Sequence, residues 1–236
     1  MPLLGTAAML LSFDVAEDAI AEHDDWHTHE HLPERLSIPG FLRGTRWVAL
    51  AGQPRYFVLY EVERLETLAS DAYLDRLDHP SPWTAKMMPH YRGMSRGLCS
   101  IVASSGSGLG HIGLLTRFKP AAGEEASLTE WLRDRILARL PQRPGLGSAH
   151  LLRGALAPRM TNEQRIRGVD VGVDWALLTT GYSQDAVAAL ARSDLGDERL
   201  ADHGATGVLS GLYRTDYTLT ASEIVASPSP HGPSRS

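Results

Sequence analysis

The chain has 236 residues, 43% hydrophobic and 22% charged, with a formal net charge of −5 and a pI near 6.0. Those proportions are ordinary for a globular protein, and the absence of any basic block argues against a nucleic-acid or anionic-membrane partner. One cysteine, Cys99, leaves no intramolecular disulfide and no Cys-x-x-Cys metal site, and no run approaches the roughly 18 apolar residues of a membrane helix. In chain order, Met1–Val15 is apolar but lacks a basic region, so it reads as a first strand rather than a secretion signal, and a cytoplasmic location is expected. Its strand proper is Gly5–Val15. Glu17–Leu32 predicts the first helix, acidic where the helix dipole favours carboxylates. Pro33 cannot continue that ladder and opens a short turn, Pro33–Ile38, stopped by Pro39-Gly40. Phe41–Ala51 and Arg55–Val62 predict a hairpin about Gly52-Gln53-Pro54, with Tyr56, Val58, Tyr60 and Val62 on one strand face and Phe57 and Leu59 on the other. Leu65–Leu77 and Trp83–Tyr91 read as helical on either side of the loop His79–Pro82, and Gly97–Ser104 as a strand. The order β-α-β-β-α-β is the ferredoxin-like arrangement.

The second half repeats it. His111–Phe118 predicts a strand, and Ser127–Leu140 a helix opened by the capping-box pattern Ser127-x-x-Glu130. Leu146–Gly154 and Val171–Tyr182 predict strands separated by the polar insertion Pro158–Arg167. Gln184–Ala201 follows as a helix and Gly207–Thr218 as the last strand. Phe13 and Phe118, Trp26 and Trp131, and Pro39-Gly40 and Pro144-Gly145 all stand 105 residues apart. A period that long marks a duplicated domain rather than a solenoid, whose repeats run about 20–50 residues. The expected organisation is a first unit over 1–105, a degenerate second over 106–222 joined through Ser104–Gly108, and a disordered tail over 223–236, Ser/Pro-rich from Ser227.

The most unusual stretch is Trp26–Gly40, W-H-T-H-E-H-L-P-E-R-L-S-I-P-G. On a regular helix with Ile20 facing inward, His27 falls at about −20° and His31 at about +20°, with His23 near −60° and Glu30 near −80°. His27 and His31 therefore occupy the face where a core helix carries aliphatic side chains. The second unit supplies the control, with Leu132 at the place of His27, Ile136 at that of His31 and Arg135 at that of Glu30. Burying imidazole without partners is unfavourable, so the exchange calls for a partner, a cavity or a chemical task, one site per chain in the first unit.

The stretch from Trp26 to Ala49 together with P-R-Y-F-V-L-Y-E-V resembles the dimeric α+β barrel superfamily, and within it the EthD-like proteins, whose first helix ends in a similar H-x-P segment. The resemblance spans residues 5–105; the second unit resembles the fold without the histidines. It implies two ferredoxin-like units packed sheet to sheet within one chain as an intramolecular dimeric α+β barrel, with a small-molecule cleft between each sheet and its helices. It leaves open a homodimer of the tandem chain.

Three readings of the histidines stay open. The leading one is acid–base catalysis without a dissociable cofactor on an apolar enolic or phenolic compound, of the monooxygenase, isomerase or cyclase kind. His31 is then the base, because it carries the resemblance, assisted by His27, with Glu30 orienting a ring. The second is ligation of haem or a divalent metal by His23, His27 and His31, although adjacent imidazoles alone give poor tetrahedral geometry. The third is structural, histidines lining the interface and hydrogen-bonded to backbone or water; the alternative function is a non-catalytic protein that uses the same cleft to hold a metabolite. Trp26, Tyr56, Tyr60, Arg46, Trp83 and His90 are the candidate ligand-binding residues, offering aromatic walls, phenol hydroxyls and a guanidinium for a carboxylate. The glycine-rich G-S-G-L-G precedes a strand, not a helix, so it is no nucleotide fingerprint. No G-x-S-x-G elbow exists and Cys99 has no histidine near it in sequence, so covalent catalysis has no support.

Overall fold

The computed structural model describes residues 3–50, 53–155, 161–167 and 170–226. Alternating side chains place eight strands in one antiparallel barrel. They are β1 (Ala7–Val15), β2 (Phe41–Ala49), β3 (Tyr56–Val62), β4 (Tyr91–Gly106), β5 (Ile112–Pro120), β6 (Leu146–Ala155), β8 (Trp175–Gly181) and β9 (Ala205–Thr220). A two-residue strand, β7 (Val171–Gly172), lies parallel to β4 at Ser95 and Arg96. The circuit runs β1-β3-β2-β9-β5-β8-β6-β4 and returns to β1. Within it the first half succeeds as β4-β1-β3-β2 and the second as β9-β5-β8-β6. Closure depends on β4 and β9, each 16 residues long, which change partner along their length. β4 pairs with β1 from Tyr91 to Ser100 and with β6 from Leu98 to Gly106. β9 pairs with β5 from Ala205 to Arg214 and with β2 from Tyr213 to Thr220. A closed barrel leaves no strand edge unpaired.

The period of two sorts the core into three layers. Met9, Leu11 and Phe13 of β1 with Tyr56, Val58 and Tyr60 of β3 face the helices of the first half. Ala8, Leu10, Phe57 and Leu59 turn into the barrel lumen, where Trp47, Leu115, Leu178 and Tyr213 meet them. Leu114, Phe118, Leu128, Leu132, Ile136 and Leu151 form the outer core of the second half. Cys99 is buried in the lumen, where desolvation pushes its thiol up to about 12.

The helices depart from expectation in instructive ways. The predicted Glu17–Leu32 is a compound rod: a 3-10 turn Glu17–Ala19, α1 (Ile20–Trp26), a π turn His27–His31 and α2 (Leu32–Leu36). Pro33 does not end it, because it stands in the opening turn of α2, where a missing N–H is tolerated. The second half makes the same π turn at Leu132–Leu137, after α5 (Glu125–Trp131), with Ala138 where the first half has Pro33. The widening therefore belongs to the fold and not to the proline. The capping box is not used: Ser127 Oγ donates to Glu124 O at 3.0 Å and Oε2 at 2.7 Å, and the helix has already begun at Glu125. Ser70 caps α3 (Asp71–Asp78) and Ser81 caps α4 (Pro82–Met87), each hydroxyl accepting a backbone N–H. The polar insertion contains α6 (Asn162–Arg167), and the long helix predicted at Gln184 divides into α7 (Gln184–Leu190) and α8 (Asp197–Asp202). Residues 223–226, expected in the tail, belong to α9 (Ala221–Ala226), whose Ile224 packs on the first-half core. Gly52 of the predicted hairpin turn and the tail from 227 lie outside the described residues. Among the described residues no helix is long and apolar enough to cross a membrane.

Candidate functional site

The compound rod lies on the outer face of β1 and β3 and turns three histidines inward. His23, His27 and His31 are 0%, 2% and 7% exposed. A π turn closes i→i+5 hydrogen bonds, and through it His27 and His31 remain on one face. The three rings form a row with successive centroids 5.5 Å apart. Trp26 backs the row, its ring 4.4 Å from His31 and 5.8 Å from His23. Phe13, Tyr56 and Tyr91 enclose the inner end, with centroids 5.6, 4.9 and 5.6 Å from His23. The row thus runs from a nearly reachable end at His31 to a sealed end at His23.

Polar partners gather at the sealed end. His23 Nδ1 lies 3.1 Å from Asp24 Oδ1, and its Nε2 lies 3.4 Å from Tyr91 Oη. Tyr56 Oη donates to Asp24 Oδ1 at 2.8 Å. Arg46 donates to the Asp24 carbonyl at 3.1 Å and to Asp216 Oδ2 at 2.8 Å. Burial pulls the His23 pKa down despite Asp24. Burial would raise Asp24, but the hydrogen bonds from His23 and Tyr56 leave its carboxyl below the usual value. His27 differs. Its Nδ1 has no hydrogen-bond partner among the described residues, and desolvation, followed by the fields of His23 and Arg46, holds its pKa well below the usual imidazole value. His31 Nδ1 faces Glu34 Oε2 at 3.9 Å. Tyr60 Oη is also buried, without a hydrogen-bond partner among the described residues, and burial drives that phenol well above its normal pKa.

The other expected residues divide. Trp26, Tyr56, Tyr60 and Arg46 join the row or its floor. Glu30 does not orient a histidine: its carboxylate accepts from Trp26 Nε1 at 3.2 Å, Ser81 Oγ at 2.5 Å and Thr84 Oγ1 at 3.4 Å, tying the rod to α4. The carboxylate that faces His31 is Glu34 instead. Trp83 is spent on Glu22 at 3.1 Å. His90 is half-buried in the turn Met88–His90, where its carbonyl accepts the Ala16 N–H at 2.9 Å.

Sequence reasoning missed Arg35, Tyr73, Arg96 and Glu163. Arg35 is 1% exposed, pairs with Glu163 of α6, reaches Glu34 Oε2 at 3.4 Å and lies 6.0 Å over the Tyr73 ring. Asn162 fixes the same inserted helix to the first half through Asp78, at 3.1 and 2.7 Å. Arg96 Nη2 donates to Tyr73 Oη at 3.0 Å, and that hydroxyl lies 3.0 Å from Met9 Sδ. Arg35 and Glu163 are 128 positions apart, with no local pattern to join them. Among the described residues no group of three or more His, Cys, Asp or Glu is placed to hold a metal ion; the imidazoles stand in file rather than converging.

No protein-family model and no curated protein matches the sequence. Solved structures do match in fold. An anthrone oxidase-like protein superposes with a TM-score of 0.67 at 13% identity, covering 94% of this chain and 95% of that one. A monooxygenase-like protein from Lactobacillus acidophilus gives 0.59 at 9%, over 92% and 97%. A mutant chlorite dismutase from Candidatus Nitrospira defluvii gives 0.53 at 12%, over 94% of each chain. At such identities the likeness is one of fold, a mixed α+β architecture around an eight-stranded antiparallel barrel.

Proposed function

We propose that the chain is a small-molecule enzyme that performs acid–base chemistry at the His27–His31 pair, without a dissociable cofactor, on an apolar enolic or phenolic compound. The observation that carries this reading is the buried imidazole row, with His27 Nδ1 lacking a partner among the described residues, at positions where the second half places Leu128, Leu132 and Ile136. Burial keeps His27 neutral, so its nitrogen lone pair is available. His31, at the more reachable end, takes the O–H or C–H proton of the substrate, and Glu34 at 3.9 Å steadies the imidazolium that results. The Tyr60 hydroxyl, kept protonated by burial, is a donor for the oxyanion that forms. Oxygenation, isomerisation and cyclisation all begin with that proton transfer. The names of the anthrone oxidase-like and monooxygenase-like neighbours favour oxygenation, by analogy of fold alone.

We further read the chain as a tandem duplication of a ferredoxin-like unit, EthD-like in its first copy. The two strand successions and the π turns beginning 105 residues apart, at His27 and Leu132, support it. A second reading, a non-catalytic protein that holds its ligand unchanged, draws on the tight packing of the row, no imidazole of which exceeds 7% exposure.

The test is turnover of anthrone, naphthol and catechol compounds under air and under argon, with metal analysis of the same preparation. The expected result is conversion by the native chain and its loss in His31→Ala and His27→Ala variants that remain folded. Conversion unchanged in both variants, or a compound bound and recovered intact, would overturn the catalytic reading.

A further inference from the structure

A cavity of about 280 Å³ opens on the other side of the sheet, at one end of the barrel. Ser95, Arg117, Val173, Trp175 and Leu209 are among the residues that line it. Arg117 shares its strand face with Leu115, a lumen residue of β5 two positions earlier, so its side chain enters the barrel interior, away from the histidine row. Its one hydrogen bond among the described residues is from Nη1 to Ser12 Oγ at 2.8 Å. Ser12 is the residue 105 positions earlier, so the guanidinium reaches its own counterpart in the first half.

Arg117, like Arg96 on Tyr73 Oη, has no carboxylate partner among the described residues, and of the two it is the one that lines this cavity. Arg43 has Glu61 at 2.6 Å, Arg46 has Asp216 at 2.8 Å and Arg35 has Glu163. Lys119 and Asp174 also line the cavity, and they neutralise each other at 3.2 Å. No carboxylate pairs with Arg117 among the described residues, although burial already works against its charge. A guanidinium remains charged in proteins, and a partly desolvated cation without a counter-ion is unfavourable. The cavity therefore combines a forked cationic donor with apolar walls from Val173, Trp175 and Leu209.

We propose that this cavity is a binding site for a small organic monoanion, a carboxylate with an apolar body, held by Arg117 in the barrel mouth. Its volume falls just below the range of about 300–1,000 Å³ typical of sites for drug-sized ligands, which suits a compound as small as benzoate or hexanoate. A planar carboxylate matches the guanidinium fork in two hydrogen bonds.

Calorimetric titration of the full chain with sodium benzoate, sodium hexanoate and benzyl alcohol tests it, with Trp175 fluorescence as a second readout. Both carboxylates are expected to bind one per chain, and benzyl alcohol about tenfold or more weakly. Arg117→Met should lose about tenfold or more in benzoate affinity with an unchanged or higher Tm, and Arg117→Lys should keep part of it. Leu209→Trp, at an exposed position, should block the mouth while Arg117 remains. Absence of benzoate binding, equal binding by Arg117→Met, or benzyl alcohol binding as tightly as benzoate would each overturn the proposal.

Discussion

The two halves of the barrel build the same rod and fill it differently. Each runs an α-helix into a π turn, His27–His31 in the first half and Leu132–Leu137 in the second, over the outer face of its sheet. The second half buries Leu128, Leu132 and Ile136; the first buries His23, His27 and His31 at the same stations. A fully buried aliphatic side chain contributes about 1.5–3 kcal/mol, whereas a buried polar atom without a partner costs about 1–3 kcal/mol. The backbone accepts either filling, so the imidazoles are not what the fold needs. They stand at a loss of stability, and the first half offsets it with ties that have no counterpart at the matching positions among the described residues: Asp24 to His23 and Tyr56, Glu30 to α4, and Arg35 to the inserted α6.

The comparison can be broken most sharply through activity. If the row is catalytic, His31→Ala should lower turnover about 10²–10⁴-fold, the range of a positioned general base, while Leu132→Ala in the second half lowers it only as far as it lowers the folded fraction; steady-state kinetics at matched folded concentration reads the difference. The ties come next. Glu163→Ala leaves the Arg35 guanidinium buried without its main partner and should cost about 3–5 kcal/mol in urea unfolding. The double variant Arg35→Met/Glu163→Met should recover much of that. His27→Leu makes the first half resemble the second and should stabilise by about 1–3 kcal/mol, since it removes an unpartnered buried nitrogen. At about 2–4 °C per kcal/mol for a chain of this size, a thermal melt resolves it.

The smallest effect is on pH dependence, and its sign follows from the direction of the shifts. Burial lowers the folded pKa of His23 and His27 below 6.5 and takes His150 of the lumen to about 3. Below pH 6.5 the unfolded chain binds protons that these rings refuse when folded. Their neutral forms therefore favour the native state fully above that pH, and the contribution is lost as pH falls, by up to about 1.4 kcal/mol per pH unit for each ring. His27→Leu should make the decline between pH 6.5 and 5 shallower by one ring's share. An unchanged slope in urea titrations across that range would mean that His27 is not held neutral.

How much was legible in advance varies with distance along the chain. The alternation of Tyr56, Val58 and Tyr60 against Phe57 and Leu59 put the two sets on opposite strand faces, as they are, because a strand's period of two is local; which face meets the helices and which the lumen came from the structure. The inward face of His27 and His31 was legible for the same reason, and the π turn shifted the rings without turning them out. Two of the three donors to Glu30, Ser81 and Thr84, lie about 50 positions away and left no local trace, unlike Trp26 one turn earlier. Arg35 and Arg117 carried no signal at all. An arginine near a helix end and another in a strand look like surface charges until the insertion folds back over one and the barrel closes around the other.

By itself the sequence determined most of the strands and the polar row in the first half, since alternation and helical periodicity are written in neighbouring residues. Only the tertiary structure decided which strands close the barrel, which carboxylate faces His31, and which arginine is left in a cavity without an anion. Those outcomes depend on desolvation and on pairs brought together from opposite ends of the chain, and neither is a property of any local stretch.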